Sequence, residues 1–388
     1  MENNSRTFTE SLSVAPAAES QRGAIVDSYR QAFGFTEERS AGYIADVGLD
    51  SFRVLTVDGQ FAAAMAVIET AHWLGGRPVR AVNIAHVAIN PVWRGAGLAG
   101  RFLDLVLAEA RTRGTGIATL FASTRPVYRR AGFALAGLEM IYEADTKALP
   151  RVRGTSFTRL DAANARAAIA PLYQQQCQQQ AGLLERHDAH WANLLAGSPE
   201  VFVSTTDEAP GYVVVDTSDT ECLVVRDWAA LNGLAASHLL TLLGTFASVY
   251  PRIRWHGAPH DPLVFALPDK GWRLVHQEEW LAKVLDPVPV LQQRGYAGVD
   301  ADIGIDLVDG EAVTPLALSV RGGQGHCTAR TAALPTIRIA LAELGTLVTG
   351  HRSASFLAMA GVLSGDAEAV RLCDTIFAGP PPWVGEHF

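Results

Sequence analysis

Residues 86–133, HVAINPVWRGAGLAGRFLDLVLAEARTRGTGIATLFASTRPVYRRAGF, constrain the fold more than any other part of the chain. A short apolar strand, Val87-Ala88-Ile89-Asn90, is closed by Pro91, which cannot continue a ladder. The turn Arg94-Gly95-Ala96-Gly97-Leu98-Ala99 follows and opens an amphipathic helix. Its apolar set, Leu98, Phe102, Leu105, Val106 and Leu107, predicts packing on a sheet, with Arg101, Asp104, Glu109 and Arg113 toward water. Gly114 ends it. A second buried strand is predicted over 117–122, and Tyr128 lies four residues before Gly132-Phe133.

A helix start carries unsatisfied N–H groups and the positive end of the helix dipole, so it attracts phosphate. Glycines at 95 and 97 let backbone approach a pyrophosphate without Cβ atoms in the way. The dinucleotide-binding alternative requires GxGxxG, and that spacing is absent. The combination of strand, glycine turn, helix, second strand and Y-x-x-x-G-F resembles the acetyl-CoA cradle of GCN5-related N-acetyltransferases (GNAT).

A length of 388 residues exceeds what one core usually serves, so two or three domains are expected. With 48% hydrophobic and 19% charged residues, the composition is that of a soluble globular protein. No run of eighteen apolar residues is present, so no membrane association is expected. Residues 1–20 lack the apolar core of a signal peptide and read as a frayed polar start. Cys177, Cys222, Cys327 and Cys373 are scattered without a CxxC pair, which fits reduced thiols in a cytoplasmic protein. A net charge of −8 disfavours nucleic acid and favours cationic partners such as amines.

The chain divides near 150 and 285. Residues 1–150 hold the cradle. Residues 151–285 open on a glutamine-rich stretch, 174–180, read as the exposed face of a helix. They then repeat the strand-turn-helix-strand order at Cys222–Trp228, Ser237–Tyr250 and Arg252–Trp255, without the arginine and glycine pair. Residues 286–388 alternate as strands at 303–308 and 316–320 around Asp309-Gly310 and Gly322-Gly323 turns, with helices expected at 335–347 and 366–377. The expected fold class is α/β and α+β: tandem GNAT domains, the second degenerate, and then an α+β domain.

That order resembles the Eis (enhanced intracellular survival) family of acetyltransferases, whose members combine a catalytic GNAT domain, a degenerate copy and a sterol-carrier-like domain. Besides the cradle, the likeness rests on Gln180-Ala181-Gly182-Leu183-Leu184-Glu185-Arg186 with Trp191, on Asp261-Pro262-Leu263, on residues 285–296, and on the closing Trp383 to Phe388.

The resemblance implies acetyl-CoA as cosubstrate, with Val87, Ala88 and Ile89 as the pantetheine edge and amides of Gly95, Ala96, Gly97, Leu98 and Ala99 around the pyrophosphate. Arg94 adds charge-assisted bonds. Ser123 and Ala122 lie near the acyl group. Tyr128 is the implied general acid, its phenol protonated at neutral pH with an ordinary pKa of about 10. The base is left between the Phe388 carboxylate, His86 and a bound water; His86 is expected to alternate with Val87 and to face the acceptor side. Phe33, Phe35, His86, Glu386 and Phe388 are the expected acceptor contacts. Phe35 stands where some aminoglycoside-acetylating relatives carry an acidic residue, which weighs against polycationic acceptors. No metal is expected, since His187-Asp188-Ala189-His190 reads as a solvated helix face.

The implied activity is acetyl transfer from acetyl-CoA to a primary amine on a small molecule (aminoglycoside-like ones included), a peptide or a lysine. Transfer of a longer acyl chain is the enzymatic alternative, and a CoA- or lipid-binding scaffold the non-catalytic one. Family members commonly assemble as hexamers, so a homo-oligomer is expected.

Overall fold

The computed structural model describes residues 11–388. The first ten residues of the expected polar start lie outside that range; within it, β1 (Leu12–Pro16) pairs antiparallel with β2 (Phe52–Val57). The first half continues through β3 (Gln60–Leu74), β4 (Arg77–Ile89), β5 (Ile117–Phe121) and β6 (Ala134–Asp145). The second half supplies β7 (Phe157–Leu160), β8 (Glu200–Ser204), β9 (Gly211–Asp216), β10 (Cys222–Ala230), β11 (Arg252–His256) and β12 (Trp272–Val284).

Among the described residues these strands form one sheet in the order β1-β2-β3-β4-β5-β12-β6-β11-β10-β9-β8-β7. The two halves have exchanged their last strands. β12 lies between β5 and β6, and β6 lies between β12 and β11, antiparallel to each neighbour. The seam is pinned electrostatically as well as by the ladder. The Glu143 carboxylate on β6, 3% exposed, accepts a 2.6 Å hydrogen bond from Arg254 on β11 and another from Arg273 on β12, with Arg252 at 3.7 Å. A buried carboxylate of this kind is tolerable because guanidinium groups compensate it.

Helices α1 (Arg22–Phe33) and α2 (Glu37–Val47) cover one face of β2–β4, where Tyr29, Ile25 and Ile44 are buried against Phe52. Helix α3 (Leu98–Thr112) packs over the first half with Leu98, Phe102, Leu103, Val106, Leu107 and Ala110 inward. Leu105, expected on that face, is 43% exposed, and Leu103 takes the inward place. A short helix, α4 (Arg125–Arg130), follows β5.

In the second half, α5 (Ala162–Gln179) carries the glutamine run. Gln176 is buried there, donating to Trp228 O at 3.0 Å and accepting from Ala230 N at 3.0 Å, so the run is not uniformly exposed. Helix α6 (Asp188–Leu195) starts on the His187 N–H donating to His190 Nδ1 at 3.2 Å, a local cap. Helix α7 (Gly233–Gly244) connects β10 to β11, which run parallel, so the repeated strand-helix-strand order is present in space.

The last domain is a separate sheet of β13 (Ala301–Asp309), β14 (Ala312–Arg321), β15 (Gln324–Ala329), β16 (Thr336–Ala340) and β17 (Leu363–Gly365), ordered β15-β14-β13-β16-β17. The helix expected at 335–347 begins instead as β16, parallel to β13, and turns helical only from Leu341, as a 3-10 turn (Leu341–Glu343) that runs into a helix at Leu344–Val348. Ile337 and Ile339 are buried while Arg338 is exposed, so a two-residue period governs this segment. The expected helix near 366–377 is present at Ala367–Phe377. The core of this domain merges with the seam through Trp280, Ala282 and Val284.

Candidate active site

Strands β4 and β5 pair in parallel only at Ala81–Asn83 with Ile117–Thr119. Beyond Asn83 they part, and β4 keeps its ladder only toward β3. Residues 84–89 therefore present a backbone edge to the gap, with Val87, Ala88 and Ile89 at its far end. A buried polar knot marks the point of divergence: Thr119 Oγ1 donates to Asn83 Oδ1 at 2.6 Å, and His72 Nε2 lies 3.0 Å from the same oxygen. The other His72 nitrogen lies 2.7 Å from Gly182 O. Burial holds the His72 imidazole below its ordinary pKa.

At the open end, Asn90 accepts from Val92 N at 3.2 Å and turns the chain. Gly95 and Gly97 both adopt left-handed backbone, φ +80° and +73°, which non-glycine residues resist. A Cβ built on either meets nothing within 4 Å, so the space above the turn is free. Leu98 is buried beneath the start of α3, while Ala96 and Ala99 are half-buried. The exposed Arg94 side chain donates to Ile89 O at 3.1 Å, linking the turn to the strand edge. A glycine-rich turn, a fifteen-residue helix and a free strand edge fit a pyrophosphate with an extended thiol arm.

Tyr128 on α4 is half-buried, its ring 6.0 Å from Phe133, and it packs on the same apolar cluster as Val87, Ile89 and Ala96. Burial raises its phenol above the ordinary value, so it stays protonated. Ser123 is exposed just beyond β5, and Ala122 packs on the same cluster.

His86 and Val87 point to opposite faces of β4, the His86 ring toward Tyr29 and Tyr43 and Val87 toward the cluster of Leu98 and Phe102, and the irregularity lies just before them. A bulge sets Ala64 opposite Ala88 but Ala66 opposite Ala85, and His86 takes φ +50°. Its ring sits among Tyr43 (4.4 Å), Phe33 and Phe35 (5.3 Å each) and Tyr29 (5.6 Å). Burial, followed by the nearby charges of His387 and Arg39, lowers its pKa to about 4. Such an imidazole is neutral at pH 7 but a poor acceptor of an ammonium proton. The cage brings Phe33, Phe35 and His86 together as expected, and Arg39 lies over Phe35 at 4.0 Å.

The tail reaches the same region by a stitched path. Leu138 N donates to Pro382 O at 3.3 Å, Val384 N to Leu138 O at 3.1 Å, and Trp383 N to Ala181 O at 2.9 Å. Gly182, at φ +97°, is required there because a Cβ would collide with Trp383 backbone. Glu386 is bound by Arg186, which is 3% exposed and also donates to both Asp227 oxygens at 2.6 and 2.9 Å. His387 stacks on Phe121 at 4.2 Å, and Phe388 lies 4.9 Å from Phe121 and 6.3 Å from His72. Phe388 thus ends beside the divergence of β4 and β5.

The second half has a matching divergence, since β10 pairs with β11 only at Cys222–Val225. Trp383, Gly385 and Glu386 fill that cleft with Arg186 and Trp228, leaving a cavity of about 10 Å³. The Arg186–Asp227 pair, His72, Tyr29 and Tyr43 were not legible as site residues; they lie in five separate segments with no shared motif.

Residues 13–136 match the model of an acetyltransferase (GNAT) domain, residues 182–284 a second GNAT acetyltransferase model, and residues 288–385 a sterol carrier protein domain. An uncharacterized N-acetyltransferase of Streptomyces griseus is 26% identical over 349 residues, 81% of this chain and 83% of that protein. The GCN5-related N-acetyltransferase of Anabaena variabilis has the same fold at a TM-score of 0.89 and 25% identity, over 97% of this chain and all of its own. Eis1 of Mycobacterium abscessus matches at a TM-score of 0.78 and 20% identity, over 97% of this chain and all of its own. The chain is an acetyltransferase, built of two GNAT domains and a sterol carrier protein domain. Its second GNAT domain carries the cleft that the tail has closed.

Proposed function

We propose that the chain is an Eis-like N-acetyltransferase that moves acetyl directly from acetyl-CoA to a primary amine. The observation that carries this reading is the convergence at one strand divergence of the glycine cradle, Tyr128 and the Phe388 end of the tail.

Val87, Ala88 and Ile89 align the pantetheine arm, and the amides of Gly95 to Ala99 with Arg94 hold the diphosphate. Ser123 borders the acyl group. The Tyr128 hydroxyl donates its proton to the departing thiolate as the amine nitrogen attacks the thioester carbon. The Phe388 carboxylate orients the amine and accepts its proton through a water, because a carboxylate of ordinary pKa, about 3.5, is a weak base on its own. His86, with its lowered pKa, serves as a cage wall rather than as the base. The acceptor meets Phe33, Phe35 and His86 on one side and the Glu386–Phe388 tail on the other, which favours a single amine on an apolar body over a polycation. A cytoplasmic homo-oligomer, hexameric as in the family it resembles, belongs to the same reading.

The test is thiol release from acetyl-CoA with a panel of primary amines. Tyr128→Phe and removal of Phe388 should each lower kcat by about a hundredfold, the range of a lost acid or base. Unchanged turnover in both variants sinks the assignments, and no amine-stimulated release favours a CoA-binding scaffold instead.

A further inference from the structure

A histidine–carboxylate cluster lies on the exchange seam, outside the cradle. Its centre is Glu139 on β6, 3% exposed. His276 Nε2 on β12 is 3.7 Å from one Glu139 oxygen and 3.7 Å from a Glu278 oxygen. His387 Nδ1, from the tail, is 2.9 Å from that Glu139 oxygen, and His256 Nδ1 on β11 is 3.5 Å from the other. Ligand atoms of Glu139, His276 and Glu278 all lie within 4.8 Å of one another. They line a cavity of about 340 Å³ shared with His387.

We infer that this cavity is a site for a divalent transition ion of the zinc class, held by Glu139, His276 and Glu278 and completed by His387 of the tail. A tetrahedral ion with bonds of about 2.0–2.1 Å spaces its ligands roughly 3.4 Å apart. The 3.7 Å separations from His276 to Glu139 and Glu278 are close to that spacing, and His387, now hydrogen-bonded to Glu139 at 2.9 Å, exchanges that bond for the ion. Mixed imidazole and carboxylate donors select zinc, cobalt or nickel over magnesium or calcium, which prefer oxygen alone. A second observation supports the assignment. His256 Nδ1 is sealed from solvent with no hydrogen-bond partner and faces Glu139, as an outer residue of a ligating carboxylate would. The ligands come from β6, β12 and the tail, so no sequence spacing announces them. An ion here clamps His387 and with it the position of Phe388.

The experiment uses the full chain, stripped with chelator and titrated with Co²⁺ followed by Zn²⁺. One equivalent of Co²⁺ should give the strong visible absorption of a tetrahedral site, displaced by Zn²⁺. His276→Ala and Glu278→Gln, both at partly exposed positions, should weaken Co²⁺ binding by at least about tenfold. His387→Ala should weaken it too, while His190→Ala, in the α6 cap, should leave it unchanged. The site is overturned if the parent gives no tetrahedral spectrum, if His276→Ala binds as the parent does, or if only His190→Ala loses binding. Unchanged affinity in His387→Ala would overturn the part played by the tail. Metal affinity is read without turnover, so failure here is separate from failure of the acetyl-transfer reading.

Discussion

Leu138 on β6 and Trp383 in the tail form a parallel bridge, closed by Val384 N donating to Leu138 O at 3.1 Å. From this contact the tail passes the second half's cleft, which Gly385 and Glu386 fill, and carries His387 and Phe388 to Phe121 beside the divergence of β4 and β5. The side chains beyond it decide whether the end of the chain stays there.

Arg186 is the main anchor of that tail. It is buried between Asp227 and Glu386 and stacks 3.7 Å over Tyr173. Arg186→Ala leaves two carboxylates without their cation and should destabilise the protein by about 3–5 kcal/mol, read by chemical denaturation. Glu386→Gln keeps the Arg186–Asp227 pair and should spare stability. It should lower kcat about tenfold while KM for acetyl-CoA stays put, because only the tail is loosened. An unaltered kcat would mean that the anchor does not serve the reaction.

Gly95 and Gly97 make the opposite split. Alanine at Gly97 forces a Cβ into left-handed backbone, a strain of about 1–2 kcal/mol that shifts the turn. KM for acetyl-CoA should rise roughly tenfold in Gly97→Ala with kcat little altered, which initial-rate kinetics reads directly. Equal loss in both constants would assign the turn to the chemistry instead of to cofactor binding.

Asp261 gives the stability curve a sign. Burial raises its pKa to about 6, against 3.8 ordinarily, despite the hydrogen bonds from Leu263 N and Val264 N. The folded state binds the proton more tightly than the unfolded chain. Its stabilising share is therefore full below about pH 4 and is lost as pH rises through about 6. Asp261→Asn keeps the cap and removes the charge. Between pH 4 and pH 7 the balance should move in the variant's favour by on the order of 3 kcal/mol, offset equally at every pH by the acceptor that Trp255 Nε1 loses. Thermal melts across that window check it; a constant gap would refute the titration.

His86 runs the other way. Its folded pKa of about 4 lies below the ordinary 6.5, so its contribution is present above about 6.5 and lost as pH falls toward 4. His86→Phe keeps an aromatic ring in the cage and should flatten that acid-side loss. Its pH–kcat profile near neutrality should match the parent, whereas a lost basic limb would restore His86 as the base.

The sequence disclosed the parts of the site that are local. The strand, turn and helix from Val87 to Thr112 repeat a spacing that backbone geometry demands, so the cradle was readable from its own residues, while Tyr128 was singled out by the resemblance of Y-x-x-x-G-F. The left-handed backbone at His86 was not readable, because a one-residue bulge leaves no composition mark. Glu139, Arg186 and Asp227 meet across segments far apart in the chain, where only tertiary pairing brings charges into register. The misread segment at Thr336–Ala340 shows the same limit: its isoleucines suit either period, and pairing with β13 decides.

The traded strands have a consequence for dissection. Cutting the polypeptide between β6 and β7 would hand each fragment a sheet interrupted by its sibling's ribbon, with unpaired edges facing water on either side of the gap. The two lobes must therefore be born, fold and perish as one cooperative body. Neither lobe's share of the sheet is continuous without the strand the other lends it.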